Sequence, residues 1–178
     1  MNPNGSDPDV QALKTAYLDE HIDRHVREHA FYGYWVRTLH DMTCLSRQTI
    51  SELLQFKQWI SPLGDILYRA CLKNAITQAD ALWLLSELPV GTFAHDQLSA
   101  FAVLGDATVD WKDKLTSVLN WRADWAARRL LMSFSVDQIG EAKIIIAQSR
   151  RPKASRSELL DAASQRLQSL STPQKGES

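Results

Sequence analysis

Apolar side chains recur every three or four positions along most of this chain, which is the spacing of one face of an α-helix. Nowhere does a run of β-branched and aromatic residues alternate with polar ones between turn clusters, as a strand would require. Glycine and proline lie in the gaps between the periodic segments. The pattern therefore predicts an all-α fold, a compact helical bundle with a C-terminal helical extension.

Residues that favour helix ends divide this pattern into separate helices. An N-cap residue followed by proline, as in Asp7-Pro8 and Ser61-Pro62, or by an acid three positions later, is typical of a helix start. Asn74 suits a helix end because asparagine tolerates a left-handed backbone. These signals predict helices over residues 8–29, 31–42, 62–73, 77–88 and 94–104, and further helices beginning after Ser46, Asp110 and Ser155.

Length and composition suggest one helical body with a tail. We expect an N-terminal helix at 1–30, a helical core domain at 31–148, and a basic linker, amphipathic helix and frayed tail at 149–178. No stretch approaches the roughly 18 consecutive apolar residues of a membrane span, and the N-terminus has no basic-then-apolar signal peptide. We therefore expect a cytoplasmic protein with no membrane partner, whose Cys44 and Cys71 are buried free thiols.

Charge is distributed unevenly along the chain, although the net charge is only −1. Residues 74–110 contain no Lys or Arg, whereas residues 112–156 carry ten basic groups against four acids, a local balance of +6. Such a segment suits a polyanion or an acidic partner. The alternative is that these charges belong to solvated helix faces, where charged side chains usually lie.

Residues 25–29 match the pattern H-x-x-E-H, which places two zinc-binding imidazoles one helical turn apart with a carboxylate between them. His21 lies one turn earlier. The surrounding acids and arginines are typical of a solvated helix, and no later Glu or His completes a ligand pattern. We therefore favour a solvent-facing row formed by His21, His25 and His29 over a metal site, and we expect no catalysis and no cofactor.

The segment 45–54 has the spacing of the first half of a helix-turn-helix unit, whose second helix enters the major groove of DNA. It departs from that pattern because Gln55 stands where glycine is usual, and Pro62 falls inside the expected recognition helix. A helical DNA-binding regulator is therefore one alternative function. A helical protein-interaction module without nucleic acid is another.

Two stretches carry a characteristic order of aromatic and aliphatic residues. The first, within 31–48, has Tyr32, Trp35, Leu39 and Cys44. The second, within 61–134, has an Asp-Trp helix start with a tryptophan ten residues later; its matched residues are Leu63, Gly64, Ile76, Gln97, Leu98, Val109, Asp110, Trp111, Leu119, Trp121, Arg129, Leu130, Leu131 and Phe134. Together these stretches resemble the small "belly" subunit, of the CasB type, of the type I-E CRISPR surveillance complex Cascade.

The chain departs from that family in three places, so it would be a compact variant. A helix or more is missing between Leu54 and Ser61. Ser99 and Ala100 stand where basic residues often follow the Gln-Leu pair. The extension after about Val136 has no counterpart in the family.

The resemblance implies a non-catalytic subunit that lines a guide-RNA-bearing complex and helps to hold DNA strands in the R-loop. Its partners would be other subunits, copies of itself, the guide RNA, and the target or displaced DNA strand. Phosphate contacts suit that role because they are independent of sequence, while guide pairing reads the sequence. The candidate phosphate contacts are Lys112, Lys114, Arg122, Arg128 and Arg129, together with Arg150 and Arg151 of the basic linker.

Residues 123–134 have an apolar stripe at helical spacing that is expected to face the core. Trp125 and Met132 would then project on the opposite side, between Arg128 and Arg129. An exposed indole there suits stacking on a splayed base or a protein-interface contact, unless a second helix covers this face. Arg122 would fall on the buried arc of a helix continued from residue 111, so either that helix ends near residue 121 or an acid pairs with Arg122.

Overall fold

The structure, a computed structural model, describes residues 8–171, which form ten α-helices and no β-strand, so the all-α prediction is confirmed. The helices are α1 Pro8–Leu18, α2 Arg24–Asp41, α3 Arg47–Leu54, α4 Ile60–Leu72, α5 Gln78–Glu87, α6 Phe93–Gly105, α7 Trp111–Asn120, α8 Asp124–Ser133, α9 Val136–Gln148 and α10 Lys153–Ser171. The predicted N-cap Asp7 and the predicted tail after Ser171 lie outside the described residues. Within residues 8–171, none of the helices combines the length and the apolar character that crossing a membrane requires.

The chain divides into two compact units, Met1–Leu98 and Ser99–Ser178, which we call the N-terminal and C-terminal units. The boundary falls inside α6. Of the boundaries drawn from the sequence, residue 30 lies inside α2 and residue 148 is the last residue of α9.

The helix predicted over residues 8–29 is wrong, because two aspartates interrupt it. The Asp19 carboxylate accepts a hydrogen bond from the backbone N–H of His21 at 2.9 Å, just after α1 ends. Asp23 is the N-cap of α2 and accepts from the backbone N–H of His25 at 2.9 Å. The helix then continues without a break through residue 30 to Asp41, so the predicted separate helix at 31–42 is also wrong.

Two other predicted starts are displaced. α4 begins at Ile60, with Trp59 at the N-cap position and no side-chain cap, instead of after Ser61. Trp59 is buried and stacks on Phe56, with ring centroids 5.0 Å apart, so aromatic packing holds this helix start. α10 begins at Lys153 and not after Ser155.

The predicted caps of three helices are confirmed. Ser46, Thr77 and Asp110 each accept a hydrogen bond from a backbone N–H in the first turn of α3, α5 and α7. Asn74 follows the end of α4 in the predicted left-handed conformation, with φ 54°. Each of these signals acts within a few residues, which is why the sequence alone reveals it.

Aromatic side chains fill the core of the N-terminal unit, where α1 packs on α2 and α2 on α4. Fully buried Phe31 contacts the rings of Tyr17, Trp35, Phe56 and Trp59, with centroids 5.1–6.4 Å apart. Such pairs contribute about 0.5–1.5 kcal/mol each beyond the area they bury. Burial in this cluster raises the pKa of Tyr17 to about 12.

The core of the C-terminal unit lies between α7, α8, α9 and α10, with α7 against α8 and α9, and α10 against α8 and α9. The predicted apolar stripes of α7 and α8 are confirmed as core, with Trp111 half-buried against the same cluster. The buried residues of these stripes are Leu115, Val118, Leu119, Ala123, Ala127, Leu130, Leu131 and Phe134.

The buried carboxylate of Asp80 allows the contribution of polar contacts to the stability of the N-terminal unit to be measured. This carboxylate accepts from the Thr77 hydroxyl at 2.6 Å and from Nε of Arg47 at 3.0 Å, and these contacts, led by Thr77, lower the pKa of Asp80. A lowered carboxyl pKa stabilises the fold above the unfolded value of 3.8, and this stabilisation is lost as pH falls through the folded pKa. We expect Asp80→Asn to lower the free energy of unfolding by about 1–2 kcal/mol at neutral pH.

Urea unfolding of the two proteins at neutral pH and below about pH 3 measures this difference. The difference should shrink at the lower pH. The matched control is Glu87→Gln, which removes an exposed acid from the other end of α5. An equal loss in Glu87→Gln, or a difference independent of pH, would contradict this account.

Candidate nucleic-acid interface

The two units carry opposite charge. Residues 8–98 hold 8 Lys and Arg against 11 Asp and Glu, a balance of −3, whereas residues 99–171 hold 11 against 8, a balance of +3. The predicted nucleic-acid-binding residues all lie in the C-terminal unit. An anionic ligand is therefore attracted to the C-terminal unit. Which basic side chains it can contact depends on whether each of them is already paired within the protein.

Three of the predicted contact residues are held in ion pairs. Lys112 pairs with Glu141, which raises the pKa of Lys112 by hydrogen bonding. Arg128 pairs with Glu158 of α10 at 2.9 Å. The pairing of Arg128 departs from the expectation of a free guanidinium on α8, because α10 lies beside it.

The third ion pair is partly buried. The Arg151 side chain is only 8% exposed and pairs with Asp124, the first residue of α8. Its Nε is buried with no hydrogen-bond partner among the described residues. Arg151 therefore does not lie open to a phosphate, and its geometry is that of a structural contact between the α9–α10 turn and α8.

Other basic groups of this unit bind oxygens of the protein itself. Lys114 donates to the backbone carbonyl of Leu104 at 3.2 Å, and Arg156 donates to the carbonyl of Ala147 at 3.0 Å. These cations keep their charge while their position is fixed. They therefore contribute to the positive electrostatic potential around the unit, but they are not free to bind a ligand directly.

Trp125 is half-buried and packs against the core, so the expectation that it projects away from the core is wrong. The guanidinium of Arg129 lies over its ring, 5.2 Å from the centroid. Met132 is 63% exposed, as expected. The alternative that a second helix covers part of this face describes the packing better, because α10 packs on α8.

Arg122 follows the end of α7 in a tight turn. The N–H of Ala123 donates to the carbonyl of Val118 at 3.0 Å, and that of Arg122 to the carbonyl of Leu119 at 3.2 Å, which together form a Schellman motif. Arg122 takes the left-handed position with φ 55°. The prediction that the helix ends near residue 121 is confirmed, and the Arg122 side chain is exposed without an ion pair to any described residue.

Arg150 borders a groove of about 510 Å³ between the C-terminal ends of α7 and α9. Its side chain is exposed and has no ion pair with the described part of the chain. The groove is lined by Thr116, Leu119, Asn120, Ile145, Gln148, Ser149 and Arg150. The sequence does not predict this groove, although helical spacing places Thr116 and Asn120 on the polar side of α7.

His21, His25 and His29 are exposed, as expected, but they do not form one row. His21 lies in the turn before α2, while His25 and His29 lie on it, with a ring nitrogen of His29 2.8 Å from the His25 carbonyl oxygen. Glu28 of the H-x-x-E-H pattern pairs with Arg24 at 3.0 Å. Among residues 8–171, no cluster of three or more His, Cys, Asp or Glu is arranged to hold a metal ion. Cys71 is buried, as expected, but Cys44 is exposed, so the expected burial of Cys44 is wrong.

A second groove, of about 330 Å³, lies between α2 and α4 in the N-terminal unit. The Tyr32 hydroxyl donates to Asp65 at 2.6 Å, and Nε of Arg69 donates to the same carboxylate at 2.8 Å. Partial burial opposes ionisation of Asp65, but these two donors lower its pKa. Because the three groups satisfy one another, this cluster ties α2 to α4.

Comparison of the chain with protein-family models, with curated proteins and with solved structures finds no match.

The partly buried pair between Arg151 and Asp124 predicts a large stability effect. Asp124→Ala leaves a buried guanidinium unpaired, so we expect the free energy of unfolding to fall by about 3 kcal/mol. Asp137→Ala is the matched control, because it removes an exposed acid from the same position, the first turn of the next helix. Urea unfolding measures both; similar losses in the two variants would contradict the special role of Asp124, and Asp124→Ala/Arg151→Met should recover part of the loss.

The left-handed turn at Arg122 predicts a stabilising substitution. Arg122→Gly removes the strain of a side chain at positive φ and should raise the free energy of unfolding by about 0.5–1 kcal/mol. Arg122→Ala removes the same charge but keeps the strain, so it should not stabilise. Thermal unfolding of both variants separates strain from charge, and equal melting temperatures would show that the backbone at this position is not strained.

Proposed function

We propose that this protein is a non-catalytic small subunit of a CRISPR RNA-guided, Cascade-like DNA surveillance complex, which binds nucleic-acid backbone and stabilises the R-loop. The observation that carries the proposal is the pair of exposed guanidiniums, Arg122 and Arg150, that have no carboxylate partner among the described residues of a unit with a balance of +3. In that complex the partners are other subunits, further copies of this chain, guide RNA and a DNA strand.

A subunit of this kind needs sequence-independent contacts. Lys and Arg neutralise phosphates and release counterions whatever the base sequence, while pairing with the guide supplies specificity. Two free cations on a protein with a net charge of −1 give weak binding alone and useful binding within an assembly.

The residues of the resemblance occupy structural positions, which is consistent with a shared fold. Trp35 and Leu39 are buried, Asp110 caps α7, and Trp111 packs on Phe134 with ring centroids 4.9 Å apart. One departure from the family, the loss of basic residues after the Gln-Leu pair, concerns a part of α6 that is buried in this chain. Ser99 and Ala100 are buried, so no phosphate contact is proposed at that part of α6.

A protein-interaction module is the second candidate, favoured by one observation. The acidic N-terminal unit exposes large apolar side chains at Leu82, Val90 and Phe93. A docking face of this kind is also required of a subunit. The DNA-binding regulator has less support, because α4, which would be its recognition helix, buries a broad face formed by Leu63, Gly64, Ile66, Leu67, Ala70 and Cys71.

The proposal predicts salt-dependent binding that relies on two arginines. Arg122→Gly/Arg150→Ala should weaken binding to a labelled single-stranded DNA about tenfold at low salt. The slope of log affinity against log salt should become shallower by roughly 0.7 for each phosphate that the variant no longer neutralises. Fluorescence anisotropy at several salt concentrations measures both quantities.

Arg37→Ala is the control, because Arg37 is an exposed arginine of α2 in the acidic unit. It should leave affinity and slope unchanged. Equal losses in both variants, or tight binding to one duplex sequence alone, would overturn the proposal. The place in a CRISPR complex is tested separately, by whether flanking genes encode CRISPR-associated proteins that co-purify with this chain.

A further inference from the structure

The groove bordered by Arg150 has an apolar floor and polar walls. Leu119 and Ile145 supply the aliphatic floor, and the side chains of Thr116, Asn120 and Gln148 stand around it. Its volume of about 510 Å³ lies within the range of roughly 300–1,000 Å³ typical of small-molecule sites. The groove therefore has room for a ligand about as large as one nucleotide.

Most polar side chains that line the groove have no hydrogen-bond partner among the described residues. Thr116, Asn120, Gln148 and Arg150 make no side-chain hydrogen bond or ion pair with any described residue. Ser149 differs, because its hydroxyl donates to the carbonyl of Ile146 at 2.7 Å. Two free amides and one free guanidinium thus surround an apolar surface, which is the arrangement that fixes the orientation of a ligand.

An ion pair joins α7 and α9, the two helices that flank the groove, on the side away from their C-terminal ends. The ion pair of Lys112 with Glu141 links α7 to α9. Asn120 lies eight residues beyond Lys112 on α7, or about 12 Å along the axis, and Gln148 lies seven residues beyond Glu141 on α9. Because α7 and α9 also pack against one core cluster, the two amides are presented on rigid elements.

We infer that this groove takes one unstacked nucleotide of a single strand, with its base between the Asn120 and Gln148 amides and its phosphate on Arg150. An amide offers a donor and an acceptor side by side, which matches the hydrogen-bonding edge of a base. The aliphatic floor receives the face of the base. This inference rests on the proposed function and adds a base contact to its phosphate contacts.

The lining also argues against other ligands. It contains no carboxylate, imidazole or thiol, so it does not suit a metal ion or another cation. Its charge comes from Arg150 alone, which suits a single phosphate. A simple inorganic anion would leave the aliphatic floor unused.

The test compares a labelled single-stranded DNA with the same strand carrying abasic sites. Wild-type protein should bind the base-bearing strand about tenfold more tightly, since a bidentate contact between an amide and a base is worth about one factor of ten or more. Asn120→Ala/Gln148→Ala should bind both strands equally and keep the wild-type salt dependence, because Arg122 and Arg150 remain. Thermal unfolding should show an unchanged fold.

The matched control is Gln11→Ala/Gln165→Ala, which removes two exposed amides elsewhere and should keep the discrimination. Discrimination retained in Asn120→Ala/Gln148→Ala, or absent in wild type, overturns the groove while salt-dependent binding leaves the proposed function standing. Absence of binding to either strand at low salt overturns both. Adenosine monophosphate serves as a competitor: saturable binding that does not displace the strand would assign the groove to a free nucleotide and overturn the strand contact.

Discussion

The way α7 ends is the constraint on which the C-terminal unit depends. Leu115, Val118 and Leu119 bury one side of this helix, and a helix continued past Asn120 would carry Arg122 onto the same arc. An unpaired buried charge costs several kcal/mol, whereas a left-handed residue costs about 1 kcal/mol. The Schellman motif is the less costly solution, since it turns the backbone, leaves Arg122 in solvent and returns Ala123 and α8 to the core.

Ion pairs then fix the helices around this turn. Arg151 with Asp124 ties the α9–α10 turn to α8, Lys112 with Glu141 ties α7 to α9, and Arg128 with Glu158 ties α8 to α10. The two exposed pairs contribute little because water screens them, whereas loss of Asp124 would leave the Arg151 guanidinium unpaired. These contacts also use three of the cations counted in the sequence. The charge available to a ligand is therefore concentrated on fewer side chains than composition indicates.

The features that the sequence predicts correctly have their partners within one or two turns, although the equally local contacts of Asp19 and Asp23 were missed. The caps at Ser46, Thr77 and Asp110 and the stripe of α7 are local features, and the structure confirms them. Prediction failed where the partner is distant or is an aromatic ring. The contacts of Arg128 and Arg151 span 30 and 27 residues, which no local pattern reveals. The start of α4 depends on ring stacking at Trp59, which capping rules do not describe.

The residues at the C-terminal end of α7 are not those that stability alone would favour. Glycine is the residue that the backbone favours after a Schellman turn, and Arg122 gives up about 1 kcal/mol there without an ion pair to any described residue in return. Two residues earlier, Asn120 presents an amide that no described residue uses. A helix end selected for stability alone would have relieved the strain. Strain, free charge and an unused amide at one helix end are together the features expected of a ligand contact, and within the proposed function a nucleic-acid strand supplies the missing partners.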